Sequence, residues 1–121
     1  MRASGSAKLE ILPARKDFLA AARARKVVAP GLVLQMRARA GADASAPARV
    51  GYTACRKVGH AVIRNRARRR LRAAVNDVLA SRALQGHDYV LIARAATAGR
   101  PYDTLLADLA GALDRSEKKN R

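Results

Sequence analysis

Between Ala67 and Leu79 the apolar residues Ala67, Leu71, Ala74, Val75, Val78 and Leu79 recur at i, i+4, i+7, i+8, i+11 and i+12. That period is the signature of a helix with one buried side. The first turns of the same helix hold Arg64, Arg66, Arg68, Arg69, Arg70 and Arg72 within nine positions, with no acid among them. Like charges three and four residues apart repel instead of pairing. One segment must therefore be core on one side and polycation on the other, and the compensating negative charge has to come from outside the chain. At about 100° per residue, and measured from Leu71, Arg69 lies at about 160°, Arg66 at about 220° and Arg70 at about 260°, away from the apolar stripe. Arg68 and Arg72, at about 60° and 100°, flank the buried side, which predicts two basic surfaces.

At 121 residues the chain is long enough for one domain with one core. Its formal charge of +16, from 25 Lys and Arg against 9 Asp and Glu, points to a polyanion partner, of which nucleic acid is the usual one. From Arg56 to Arg72, eight of 17 residues are Arg or Lys, whereas a face built only for solubility mixes its signs. Membrane-surface binding would need the apolar stripe to face lipid, and the core requires it. Arginine in place of lysine brings planar, bidentate donation to phosphate. With aromatics at only 3% of residues, stacking on aromatic platforms cannot carry much of the affinity. The single cysteine, Cys55, excludes a disulfide framework within the chain and suits a reducing cytoplasm. No apolar run approaches membrane-span length, and the N-terminus lacks a signal-peptide core.

Along the chain, residues 1–10 read as a disordered tail, 11–114 as a single domain and 115–121 as a flexible basic tail. Arg15 to Lys26, following Pro13, reads as a first helix with Phe18, Leu19 and Ala22 at helical spacing. Leu32 to Met36 reads as a strand, or part of two, ending in alternating Arg37 and Arg39. Residues 41–47 read as a turn, and Val50, Tyr52 and Ala54 then alternate on one face, which suggests a hairpin. Tyr89 to Ile92 is continuously apolar, as in a buried central strand. Leu105, Leu106, Leu109 and Leu113 mark one face of a closing helix after Pro101. The order is a helix, a hairpin, a long helix, a strand and a last helix.

The run Ala54-Cys55-Arg56-Lys57-Val58-Gly59-His60-Ala61-Val62-Ile63-Arg64-Asn65-Arg66, continued by the basic helix from Ala67 to Arg72, resembles the hallmark of the bacterial ribonuclease P protein family. That hallmark is a strand leading through a basic turn and Val-Gly-x-Ala-Val into Arg-Asn-Arg. Asp17-Phe18 in the first helix, Asp88-Tyr89 opening a strand that ends Ile92-Ala93-Arg94, and a closing helix after Pro101-Tyr102 extend the likeness across roughly residues 11 to 114. The resemblance implies an α/β (α+β) two-layer sandwich of αβββαβα order, with a mixed four-stranded sheet, a ribosomal-protein-like form and a left-handed βαβ crossover. It further implies an endoribonuclease whose catalyst is RNA. The protein would bind the RNA subunit and the 5′ leader of precursor tRNA in the cytoplasm, without an obligate protein partner or a membrane. No cofactor would be held tightly by the chain, and Mg²⁺ would be held mainly by the RNA.

Carried onto this sequence, the RNA-subunit contacts are Arg56, Lys57, Arg64, Asn65, Arg66, Arg69 and Arg70. The leader contacts are Phe18, Gln35, Arg68 and Arg72. The chain departs from the family pattern at Ala22, where a second aromatic is common, and at Gln35, where a strand tyrosine is common. Cys55, Arg56 and His60 stand where Ser, Lys and Asn are usual.

Other features read as structural. Cys55 lies beside Arg56 and Lys57 but has no recognisable base with an orienting acid. His60 and His87 lack carboxylates at metal-ligand spacing. Asp103, Asp108 and Asp114 read as a solvated helix face. Gly51, Gly59 and Gly86 do not form a nucleotide-binding loop. Two alternatives stand beside the main reading. One is a structural or ribosome-associated RNA-binding protein with no role in cleavage. The other is a helix-based DNA binder, for which only Asn65 offers a base-reading side chain.

Overall fold

The computed structural model describes residues 9–39 and 46–119. Within them β1 (Glu10–Ile11), α1 (Arg15–Ala22), β2 (Arg25–Val28), β3 (Leu32–Ala38) and β4 (Arg49–Thr53) precede a 3₁₀ turn at Arg56–Val58. Then follow α2 (Ala61–Ala74), continued by a π-helical turn at Val75–Leu79, β5 (His87–Ala93) and α3 (Tyr102–Lys119).

The five strands form one mixed sheet in the order β1-β4-β5-β3-β2. β5 occupies its centre because its run is apolar on both faces: Tyr89, Val90, Leu91 and Ala93 are all buried. A strand with no solvent face cannot sit at an edge. β3 therefore pairs with it antiparallel on one side, Gln35 opposite Val90, and β4 pairs parallel on the other, Gly51 opposite Val90. This placement overturns the expected hairpin between β3 and β4, since β5 lies between them. The hairpin is instead β2–β3, turning at Pro30-Gly31, where the Ala29 N–H donates to the Leu32 carbonyl at 2.9 Å. Most of the expected 41–47 turn lies outside the described residues.

The strand count exceeds the expected four because Glu10–Ile11 adds a two-residue parallel strand beside β4. Glu10 thus belongs to the sheet and not to a tail, and Leu9 packs against the core. Residues 1–8 lie outside the described residues. At the other end α3 runs through Lys119 with Ser116 buried, so the segment expected as a tail from 115 is helical to Lys119, and residues 120–121 lie outside the described residues.

Strand alternation sorts the core. Leu32, Leu34, Met36, Tyr89 and Leu91 face one way and pack with Ala67, Leu71, Ala74, Val75 and Leu79 of α2 and its π-helical turn, and with Leu105, Leu109 and Leu113 of α3. Every residue of the predicted α2 stripe is buried except Val78, which is half-buried. The other face, through Val90 and Ile92, packs with Leu12, Phe18 and Ala21, so α1 adds a thinner helical layer opposite α2 and α3. α1 is shorter than expected because Arg25–Val28 is claimed by pairing with β3. Its inward residues are Asp17, Phe18 and Ala21, whereas Leu19 and Ala22 face solvent.

Candidate RNA-binding surface

The basic motif starts where β4 ends. Val58, in the 3₁₀ turn, is buried and anchors the turn on the core, which leaves Arg56 and Lys57 exposed. Gly59 follows at φ 148°, in a region that L side chains rarely adopt. A Cβ there would also meet Ile63 at 2.9 Å. The glycine thus redirects the chain into α2, whose first turn is capped by no side chain.

From that start Asn65, Arg66, Arg69 and Arg72 are exposed, while Arg64, Arg68 and Arg70 are half-buried. Among the described residues none of the eight cations between Arg56 and Arg72 is ion-paired with a carboxylate. The Arg64 Nε is buried and has no partner there either. This stretch alone supplies +8 of the chain's +16, and its charge is uncompensated by the fold.

Of the expected RNA-subunit contacts, Arg56 and Lys57 lie exposed on the turn and Asn65, Arg66 and Arg69 on the outward side of α2, whereas Arg64 is half-buried and lies toward the side of Leu71. Arg70 does not share the freedom of the exposed arginines. Its Nε donates to the Thr97 carbonyl at 3.1 Å and its Nη2 to the Arg100 carbonyl, so it is turned toward the 94–100 segment. The helical wheel placed Arg70 away from the sheet, and periodicity could not show that this segment packs against that side of α2.

A second feature lies at the end of β4. β1 pairs only with Arg49 and Val50, so β4 is uncovered at Tyr52 and Thr53. There Pro13, Ala14, Arg15, Phe18, Tyr52 and Thr53 line a cleft of about 390 Å³. Phe18 lies on Gly51, where a Cβ would come within 2.5 Å of its ring. The Arg72 guanidinium sits over the Tyr52 ring, 5.2 Å from the centroid, in cation–π geometry. Of the expected leader contacts, the structure brings Phe18 to this cleft; Arg72 stacks on Tyr52, whose side chain, beside Leu91 in the register, faces the α2 layer across the sheet from Phe18. It does not bring the other two there either. Gln35 is buried in the same cross-strand row as Val90 and Gly51, two strands away from β4. Arg68 is bonded along its own helix to Asn65 Oδ1 at 2.9 Å.

Tyr52, Gly51 and Arg15 were not anticipated at a site. Alternation marked Tyr52 as inward-facing, which it partly is: its ring packs against the main core under the Arg72 guanidinium. A glycine in the middle of a strand is a known mark of close approach, and was the available signal for Gly51.

A mixed sheet that carries an arginine-rich helix without carboxylate partners among the described residues, and a cleft where β4 is uncovered, defines a protein suited to hold a polyanion such as RNA. The ribonuclease P family model matches residues 7–117 of this chain, and the chain belongs to that family. It is 52% identical to the ribonuclease P protein component of Paramagnetospirillum magneticum over 91% of this chain and 84% of that one. The ribonuclease P protein of Staphylococcus aureus superposes with a TM-score of 0.72 at 22% identity, covering 90% of this chain and 96% of that one. That of Thermotoga maritima gives 0.67 at 25% identity, covering 88% and 96%. Members of the family work within an endoribonuclease ribonucleoprotein, with its RNA and precursor tRNA as partners.

Proposed function

We propose that this chain binds the ribonuclease P RNA through the turn and early face of α2, and the 5′ leader of precursor tRNA in the Phe18–Tyr52 cleft. In doing so it promotes endonucleolytic removal of the leader. The observation that carries this reading is the array of exposed arginines on α2, free of carboxylate partners among the described residues, together with an open cleft at the uncovered end of β4. Phosphate contacts fix register on RNA without reading sequence, and a ring such as Phe18 offers a face to an unpaired base.

Among the described residues no three carboxylate, imidazole or thiol groups converge as metal ligands. We assign Mg²⁺, and the hydrolytic step, to the RNA. Among the described residues no helix is long and apolar enough to cross a membrane.

The test is cleavage of precursor tRNA by the ribonuclease P RNA of the same source, at Mg²⁺ low enough for the RNA alone to be slow. Cleavage at the mature 5′ end that depends on the protein is the expected result. Tight RNA binding without stimulation would instead support a structural RNA-binding role. Arg72→Ala is expected to reduce the preference for precursor over mature tRNA, whereas equal loss for both would remove Arg72 from the leader site.

A further inference from the structure

Arg70 differs from its neighbours in what surrounds it. Besides donating to the Thr97 and Arg100 carbonyls, its guanidinium lies over the Tyr102 ring, 5.9 Å from the centroid. The segment it grips is itself tied to the sheet. The buried Thr97 donates its hydroxyl to the Gly31 carbonyl at 2.6 Å and accepts from the Arg94 N–H at 2.8 Å. The Arg94 guanidinium reaches the Ala29 carbonyl at 2.6 Å. Tyr102, at the start of α3, donates its hydroxyl to Asp77 at 2.6 Å, in the π-helical turn that continues α2. Arg70 and Tyr102 thus close a ring of contacts joining α2, the 94–100 segment, α3 and, through Thr97 and Arg94, the β2–β3 turn.

We infer that Arg70 is a positioning residue, which takes no RNA phosphate but clamps α2 to the 94–100 segment and so sets the angle at which Arg66 and Arg69 meet the RNA. Moving its guanidinium to a phosphate would break both carbonyl bonds, whereas Arg66 and Arg69 make no such bonds among the described residues. A lysine would keep the charge without the planar fork that spans two carbonyls. The inference rests on α2 being the RNA face proposed above.

Two measurements on the full chain test it, each made on Arg70→Ala, Arg70→Lys, Arg66→Ala and Arg69→Ala. The first is hydrogen exchange of the free protein at the amides of Thr97, Gly99 and Arg100, which donate within the segment. The second is the salt dependence of affinity for ribonuclease P RNA. Both Arg70 variants are expected to speed exchange at these amides and to weaken RNA binding, each by about tenfold. The slope of log affinity against log salt should stay at the wild-type value, since no phosphate contact is lost. Arg66→Ala should do the reverse, leaving exchange unchanged and making the slope less negative by about one.

A slope change of that size in Arg70→Ala, or binding restored by Arg70→Lys, would overturn the inference. So would unchanged exchange, or faster exchange with unchanged affinity. If Arg66→Ala and Arg69→Ala both leave affinity and slope untouched, the RNA face itself is misplaced, and the exchange result still decides whether the clamp exists.

Discussion

Two groups of arginines in this molecule have opposite fates. At the base of the sheet, Asp88 has a fully buried side chain and accepts from Arg39 at 2.7 Å, from Arg49 at 2.8 and 2.9 Å and from Arg37 at 3.2 Å. Arg49 also reaches Asp17 of α1 at 3.2 Å. These three cations are spent on the fold: they fasten β3, β4 and β5 to one another and to α1. On α2 the arginines have no acid within reach among the described residues, and their charge is left for a partner. Asp88 makes the difference, since a carboxylate held inside the sheet turns neighbouring arginines into structure. Where the nearest groups are carbonyls, as at Arg70, an arginine becomes structural without being neutralised.

The contrast breaks most completely at Asp88. Asp88→Ala would leave Arg37, Arg39 and Arg49 crowded together with only Asp17 to share, and is expected to cost on the order of 3–5 kcal/mol, read by urea unfolding. A loss below about 1 kcal/mol would show the cluster to be no more than a surface ion pair. Burial alone would raise the Asp88 pKa, but the hydrogen bonds from Arg49 and Arg39 outweigh it and hold the carboxyl below its ordinary value. Its stabilising contribution is therefore complete above the unfolded-state pKa of about 3.9, and drains away as pH falls through the lower folded value. Asp88→Asn should flatten that acid limb of the stability profile.

Next in size is Gly51→Ala, which drives a methyl into the Phe18 ring. It should cost about 1–3 kcal/mol by overpacking and, by displacing Phe18, weaken leader discrimination more than RNA-subunit affinity. Comparing the two affinities in one variant checks both parts.

At the other pole of the comparison, Arg66→Ala and Arg69→Ala should leave unfolding within about 0.5 kcal/mol of wild type. Each should still lower RNA affinity by on the order of tenfold. Thermal melts and filter binding at several salt concentrations would separate the two quantities, and a stability loss matching the binding loss would erase the distinction between the groups.

The acid run was legible as Asp17-Phe18 and Asp88-Tyr89, but its role was not. Arg37, Arg39 and Arg49 are up to 51 residues from their acids in sequence, and only the β3–β5–β4 register sets them around Asp88. For the same reason Asp108, expected on a solvated face, proves to be held by Arg100 and packed close to Gly31, where a Cβ would come within 2.4 Å of its Oδ2.

What the sequence by itself determined is whatever local periodicity and unshared charge encode. The apolar stripe of α2 and the leucine face of α3 follow from the helical repeat, the central place of β5 follows from its unbroken apolar run, and the need for an anionic partner follows from arginines with no acids among them. What only the tertiary structure decided is everything that depends on which strands are neighbours and which side chains meet across the core. That includes the hairpin falling at Pro30-Gly31, the cleft opened by the shortness of β1, the burial of Gln35 and the commitment of Arg70 to the Thr97 and Arg100 carbonyls. Strand neighbours are chosen by the burial of whole faces, a sum over distant residues, so no window along the chain contains the answer.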